Sequence, residues 1–177
     1  MKGTAVRRTI DAPPLTREAF APFGEVVLAE RADITPVMVN FGTAARRNGV
    51  GALDQDRPHA RPNLCGFVCE PWKKFPVLAR SMEKHPRSAQ LFVPMKVGRY
   101  LVVVAPGDEA PDVEGMRAFV ATPGQGVIYR ANVWHMPLIV FDTPAEFVML
   151  VWEDDSPEDC VVAKLSEAIQ IVVDGAR

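Results

Sequence analysis

The sequence predicts a mainly β protein, a barrel or sandwich with a few short helices. Three observations predict it. The 177 residues include 16 prolines and 12 glycines, which leave little room for long helices. From residue 64 onward, short runs rich in Val, Phe, Tyr and Leu recur at about ten-residue spacing, each closed by a Pro/Gly turn. The runs at 101–104 and 147–152 are apolar at every position, as expected of central strands covered on both faces.

Residues 1–14 are expected to form an irregular lead-in that ends at Pro13-Pro14. Thr16 carries the hydroxyl that caps a short helix at 17–20, and Pro22 and Gly24 close it. Strands are predicted at 25–28 and 37–41. Residues 43–63 hold Arg46, Arg47, Arg57 and Arg61 among Gly, Asp, Asn and Pro with no hydrophobic period, the mark of either a mobile surface loop or a lid. Further strands are predicted at 64–69, 75–81, 90–93, 100–104, 117–121, 127–130, 138–141 and 146–152. The acidic stretch 153–159 suits a solvated turn, and residues 165–173 fit a last strand or a short helix. Residues 1–177 are expected to be one domain.

Twenty basic residues against 22 acidic ones give a net charge of −2, which excludes nucleic-acid binding by bulk charge. No 18-residue apolar run and no secretory apolar segment is present, so neither membrane insertion nor export is expected, and the chain is expected to be cytoplasmic. Cys65, Cys69 and Cys160 are odd in number and lack CxxC spacing, so reduced, mostly buried thiols are expected. Walker A, GxGxxG, GxSxG and HExxH patterns are all missing, which leaves nucleotide chemistry and serine hydrolysis without support.

The three histidines are the residues most able to carry chemistry. His59 lies in the Arg/Pro-rich stretch and is expected to be solvated. Glu83 and His85 point to one face if their segment is extended, and there serve either as acid and base or as two metal ligands. His135, in Asn132-Val133-Trp134-His135-Met136-Pro137, follows a Pro-Gly-Gln-Gly turn and is expected near a barrel mouth. Gln90, Tyr129 and Asn132 offer hydrogen bonds to a small polar ligand. Arg46, Lys96 and Arg130 offer charge for a carboxylate, for which a bidentate arginine is geometrically suited.

The stretch Met82-Glu83-Lys84-His85-Pro86-Arg87-Ser88-Ala89-Gln90-Leu91-Phe92-Val93-Pro94-Met95 resembles the E-x-H-P-x-x-x-Q-x-F-x-P-M signature of ureidoglycolate lyases. Tyr100 to Pro106, Met116-Arg117-Ala118-Phe119, Gly124-Gln125-Gly126-Val127 and Trp134-His135-Met136-Pro137-Leu138 are similar to later segments of that family in the same order. Weaker similarity lies upstream, at residues 15–24 and 40–46. The resemblance implies a cupin-like β-barrel or jelly roll, a homodimer, and cleavage of ureidoglycolate to glyoxylate and urea in allantoin (purine) degradation. It also implies a divalent metal such as nickel, reported for some members, with the metal ligands of this chain left unknown. On it, His85 or His135 serves as base and Glu83 orients His85 or carries the second proton. Arg46 or Lys96 holds the carboxylate. Gln90, Tyr129, Asn132 and, beside His135, Trp134 line the substrate. Arg130, Met136 and Asn48 stand where the family usually has histidine, and Val68 where it tends to have arginine. Two other readings fit the same residues: a cupin-like enzyme for another small hydroxy or oxo acid, and a non-catalytic protein that binds small carboxylates.

Overall fold

The computed structural model describes residues 5–175. In chain order the elements are β1 (Val6–Asp11), α1 (Arg17–Phe20), β2 (Gly24–Val27), β3 (Val37–Val39), β4 (Ala44–Arg46), β5 (Arg61–Cys69), β6 (Val77–Lys84), β7 (Gln90–Lys96), β8 (Tyr100–Ala105), β9 (Arg117–Ala121), β10 (Gly126–Tyr129), β11 (Trp134–His135), β12 (Ile139–Val140), β13 (Ala145–Glu153) and β14 (Val161–Val172). The mainly β architecture with little helix is the one the breaker count and strand spacing predict.

Two sheets carry the structure. The larger runs β1-β14-β6-β11-β8-β12, with β9 on the other side of β8. The smaller runs β2-β10-β7-β13-β5. Beyond β1, the chain turns along β9: Leu15 N–H donates to Val120 O at 2.8 Å, and Val120 N–H to Pro13 O at 2.8 Å. The larger sheet thus curls back on itself, a cupin-like barrel. One core, with Val77, Met82, Leu101, Val103, Trp134 and Ile171, fills the curl. A second, with Phe20, Phe92, Tyr100, Val102, Tyr129 and Phe147, lies between the sheets.

β8 separates these cores. Tyr100, Val102 and Val104 enter one, and Leu101, Val103 and Ala105 the other, so the strand is covered on both faces as its sequence predicts. The similar expectation for 147–152 is corrected. Phe147, Met149 and Val151 are buried, but Val148, Leu150 and Trp152 are only half-buried, because no layer covers the outer face of β13 among the described residues.

Other expectations change as well. Residues 6–11 are not an irregular lead-in but a strand parallel to β14, with Ile10 beside Ile171. Residues 1–4 of that lead-in lie outside the described residues. Of the ambiguous 165–173 stretch, all but the last residue belongs to the twelve-residue β14. The predicted strand 37–41 stops at Val39, where Asn40 and Phe41 take positive φ in a 3₁₀ turn leading to β4. Thr16 caps α1 as predicted, its Oγ1 accepting from Ala19 N–H at 3.2 Å. Gly24 begins β2 rather than closing the helix. A side chain there would meet Ile128 O at 1.8 Å, so only glycine lets β2 lie against β10.

The 43–63 stretch is neither a structureless loop nor a free lid. After β4 it is stitched to the turn before β7, with Ala89 N–H to Asp54 O at 2.8 Å and Asp56 N–H to Arg87 O at 3.1 Å. Arg57 pins it further, bonding Asp154 at 2.5 Å and Asp159 at 2.6 Å. The cysteines are free; Cys65 and Cys69 are half-buried and Cys160 is exposed, so the thiols are less buried than expected.

Phe147 is fully buried and packs edge-on against Tyr100 at 5.2 Å and Phe92 at 6.4 Å. Phe147→Ala is expected to cost about 3–5 kcal/mol of unfolding free energy, read as a lower midpoint in urea denaturation.

Candidate active site

Strand alternation builds the site. On β6, Met82 packs into the curl and Lys84 lies with its Nζ 4.8 Å above the Trp134 ring. Glu83, and His85 just past the strand end, therefore face the smaller sheet. On β11, Trp134 packs with Met82, so His135 takes the face of Glu83. The β11–β6 register sets His135 directly opposite Glu83, with Nε2 3.7 Å from Oε1. The two imidazoles stack at 5.6 Å, and one donor atom from each of Glu83, His85 and His135 lies within 4.8 Å of the others.

Backbone carbonyls fix the tautomers. His135 Nδ1 lies 2.9 Å from Val133 O, and His85 Nδ1 lies 2.6 Å from Asp159 O. A carbonyl only accepts, so each Nδ1 carries the hydrogen and each Nε2 is a bare lone pair. Among the described residues, both Nε2 atoms are buried without a hydrogen-bond partner, and so is Gln90 Oε1. Orphaned buried polar atoms are costly, and three turned to one space are the signature of a ligand site. Burial lowers the His135 pKa to about 3 and lowers that of His85, so both rings are neutral at pH 7. Burial raises the Glu83 carboxyl above its ordinary range.

The smaller sheet supplies the opposite wall. Tyr129 lies parallel over His135, with ring centroids 4.2 Å apart. Gln90 is its partner on β7, and the register continued onto β13 and β5 brings Val151 and then Asn63 into the same row. Asn63 donates to Glu153 at 2.6 Å, and Glu153 is close enough to act electrostatically on His85.

Of the residues named from sequence, Glu83, His85, His135, Gln90 and Tyr129 come together. Four others do not. Asn132 is bonded on its side chain to Lys84 at 2.6 Å and Asp108 at 3.0 Å, while its N–H donates to His85 O at 2.9 Å, so it positions His85 from behind. Trp134 is fully buried in the curl, since it alternates with His135. Arg46 sits on the exposed β3–β4 hairpin, bonded to Asn48 at 2.7 Å. Lys96 ends β7, six residues and about 20 Å of strand from Gln90. His59 is exposed, as expected. Sequence reasoning missed Asn63 and Glu153, for which β5–β13 pairing was the needed signal.

The three positions where the resemblance implies histidine fall outside this cluster. Arg130 donates to Pro22 O at 3.1 Å and Ala21 O at 3.2 Å, at the end of α1. Met136 packs against the core of the curl. Asn48 serves Arg46 on the hairpin.

Comparison with known proteins gives a consistent result. The ureidoglycolate lyase family profile matches residues 7–172. A ureidoglycolate lyase of Burkholderia cepacia is 41% identical over 152 residues, spanning 85% of this chain and 81% of that protein. One of Stutzerimonas stutzeri is 34% identical over 167 residues, spanning 94% and 96%. One of Azotobacter vinelandii is 35% identical over 143 residues, spanning 81% and 84%.

The buried neutral His135 has a stability consequence. Its folded pKa lies below the unfolded value, so below about pH 6.5 the unfolded chain binds a proton that the folded chain refuses. Stability is therefore lost as pH falls from about 6.5 toward 3, by up to about 1.4 kcal/mol per pH unit. With chelator present, His135→Gln is expected to flatten the acid side of a plot of urea midpoint against pH.

Proposed function

Since the chain belongs to the ureidoglycolate lyase family, we propose that it cleaves ureidoglycolate to glyoxylate and urea, as one domain acting in allantoin degradation. The observation that carries this is the convergence of two neutral imidazole lone pairs and one carboxyl within 4.8 Å, beneath Tyr129. The substrate is a carbinolamide, and its cleavage turns the hydroxyl into a carbonyl as the C–N bond breaks. The hydroxyl proton passes to Glu83, whose raised pKa suits it to hold a proton. Glu83 then returns the proton to the departing urea nitrogen, so one carboxyl serves both transfers. Gln90 Oε1, which has no partner among the described residues, accepts from the ureido N–H groups. Tyr129 covers the reacting centre and keeps His135 dry.

The donor set fits a divalent cation such as nickel. Both histidines give their Nδ1–H to a backbone carbonyl and keep Nε2 free, the usual arrangement of metal-ligating imidazoles, and Glu83 lies beside them. Such a cation would be held by the Nε2 atoms of His85 and His135 and would supply Lewis acidity toward the substrate hydroxyl, leaving Glu83 beside them for the proton transfers. The depressed His135 pKa favours this lone-pair role over that of a general base.

The working unit in this proposal is a cytoplasmic homodimer. β5 is a nine-residue strand at the edge of the smaller sheet, with Leu64 69% and Val68 82% exposed. An uncovered apolar edge strand is an association surface, and a second copy is the occupant that covers it symmetrically. Among the described residues, no helix is long and apolar enough to cross a membrane.

Purified protein given ureidoglycolate is expected to release urea and glyoxylate in equal amounts, faster with nickel than with chelator. His85→Ala and His135→Ala are expected to lower turnover roughly a hundredfold or more. Full activity in both variants, or ammonia in place of urea, contradicts the assignment. Light scattering after gel filtration is expected to give twice the chain mass, and Leu64→Asp with Val68→Asp to give the monomer.

A further inference from the structure

The 43–63 stretch reaches the surroundings of the site through one side chain. Its backbone is fixed to the turn before β7, with Gln55 bridged to Ser88 and Asp56 N–H donating to Arg87 O at 3.1 Å. That sets Arg57 against the acidic turn between β13 and β14. Its Nη1 donates to Asp154 Oδ1 at 2.5 Å and to Ser156 Oγ at 3.0 Å. Its Nη2 donates to Trp152 O at 3.0 Å and pairs with Asp159 Oδ1 at 2.6 Å. The side chain is only 12% exposed.

We propose that Arg57 is a positioning residue of the site: by holding the 154–159 turn it presents Asp159 O to His85, and so fixes which ring nitrogen of His85 faces the reacting centre. The β14–β6 ladder ends with Val161 opposite Lys84, so Asp159 lies two residues beyond the last pair and takes its place from the turn. The turn does not hold itself. Residues 153–159 carry five carboxylates, which repel one another, and Asp155 takes positive φ. Its internal bonds run from Asp154 N–H to the Asp159 carboxylate at 3.1 Å and from Asp159 N–H to Ser156 O at 3.0 Å. Asp154, Ser156 and Asp159, the residues that close it, are all bonded to one planar guanidinium.

The consequence falls on one imidazole. His85 Nδ1 lies 2.6 Å from Asp159 O, and that acceptor keeps the hydrogen on Nδ1. With the carbonyl withdrawn, the hydrogen also populates Nε2, and the lone pair turned to the reacting centre is lost. His135 is held separately, by Val133 O, so it serves as an internal comparison. Arg87 serves as an external one. It joins the same two segments by pairing with Asp56 and Glu158 at 3.1 Å each, but its side chain is 43% exposed, and exposed pairs contribute little.

Because the role of His85 rests on the proposed function, the test is read first without substrate or metal. Long-range proton–nitrogen NMR of metal-free, nitrogen-15-labelled protein shows which ring nitrogen of each histidine carries the hydrogen, with His85→Gln and His135→Gln to assign the signals. Wild type is expected to show Nδ1–H at both buried rings. Arg57→Ala is expected to add a form with hydrogen on Nε2 at His85 alone, and to weaken calorimetric nickel binding roughly tenfold or more. Arg57→Lys, with one nitrogen for four acceptors, is expected to fall between, and Arg87→Ala to match the wild type. Ureidoglycolate turnover is then measured on the same set, where Arg57→Ala is expected to lose activity in step with its nickel affinity. The expected pattern at His85 without any ureidoglycolate cleavage upholds the positioning role and defeats the substrate assignment. His85 unchanged in folded Arg57→Ala, or in Arg57→Lys where the alanine variant does not fold, overturns the positioning role. So does an equal change at His135, or the same change in Arg87→Ala.

Discussion

The structure depends on one constraint: the wall formed by β11, β8 and the end of β6 at Met82 to Lys84 lies between two cores and has both of its faces covered there. Strand side chains alternate, so a wall between two cores offers no solvent face for polar residues. β8 meets this with apolar residues at all six positions. β6 and β11 do not. They place Glu83, His85 and His135 on the side that faces the smaller sheet, where they must be desolvated. The cost of that desolvation appears as two imidazoles held neutral and a carboxyl held above its ordinary range.

What keeps these groups in place is backbone. Val133 O and Asp159 O each take one imidazole N–H, and Asn132 N–H holds the carbonyl of His85. Asn132 takes positive φ, which turns the segment so that Val133 O can reach His135. Behind this segment, Lys84, Asn132 and Asp108 form a hydrogen-bonded brace on the other face of the wall. The brace and the reacting cluster are the two faces of the same few residues, so the face that carries chemistry is supported by the face that does not.

The sequence showed most of the strands, because Pro and Gly turns punctuate them and the strongest runs are apolar throughout. It showed Glu83, His85 and His135 because rare residue types at alternating positions leave few arrangements. β1 was hidden by Arg7 and Arg8, which interrupt its apolar positions, and because its pairing is with β14, more than 150 residues away in the chain. The partnership of β5 with β13 was likewise a long-range fact, and with it went Asn63 and Glu153. Asn132 and Trp134 were placed in the site by their nearness to His135 in sequence, yet adjacent strand residues point to opposite faces.

The same alternation explains why Met136 and Arg130, where the resemblance implies histidine, leave the reacting cluster intact. Met136 follows His135 and so points into the curl, where a thioether packs with the apolar core. A histidine there would not face Glu83. Arg130 follows Tyr129, which stacks on His135, and its guanidinium turns away to the carbonyls at the end of α1. That contact ties the helix to β10 and so fixes the strand that carries Tyr129. Replacing histidine at these two positions therefore alters the surroundings of the site while leaving its three donors untouched. Strand register, and not a count of histidines, decides which side chains can meet at this site.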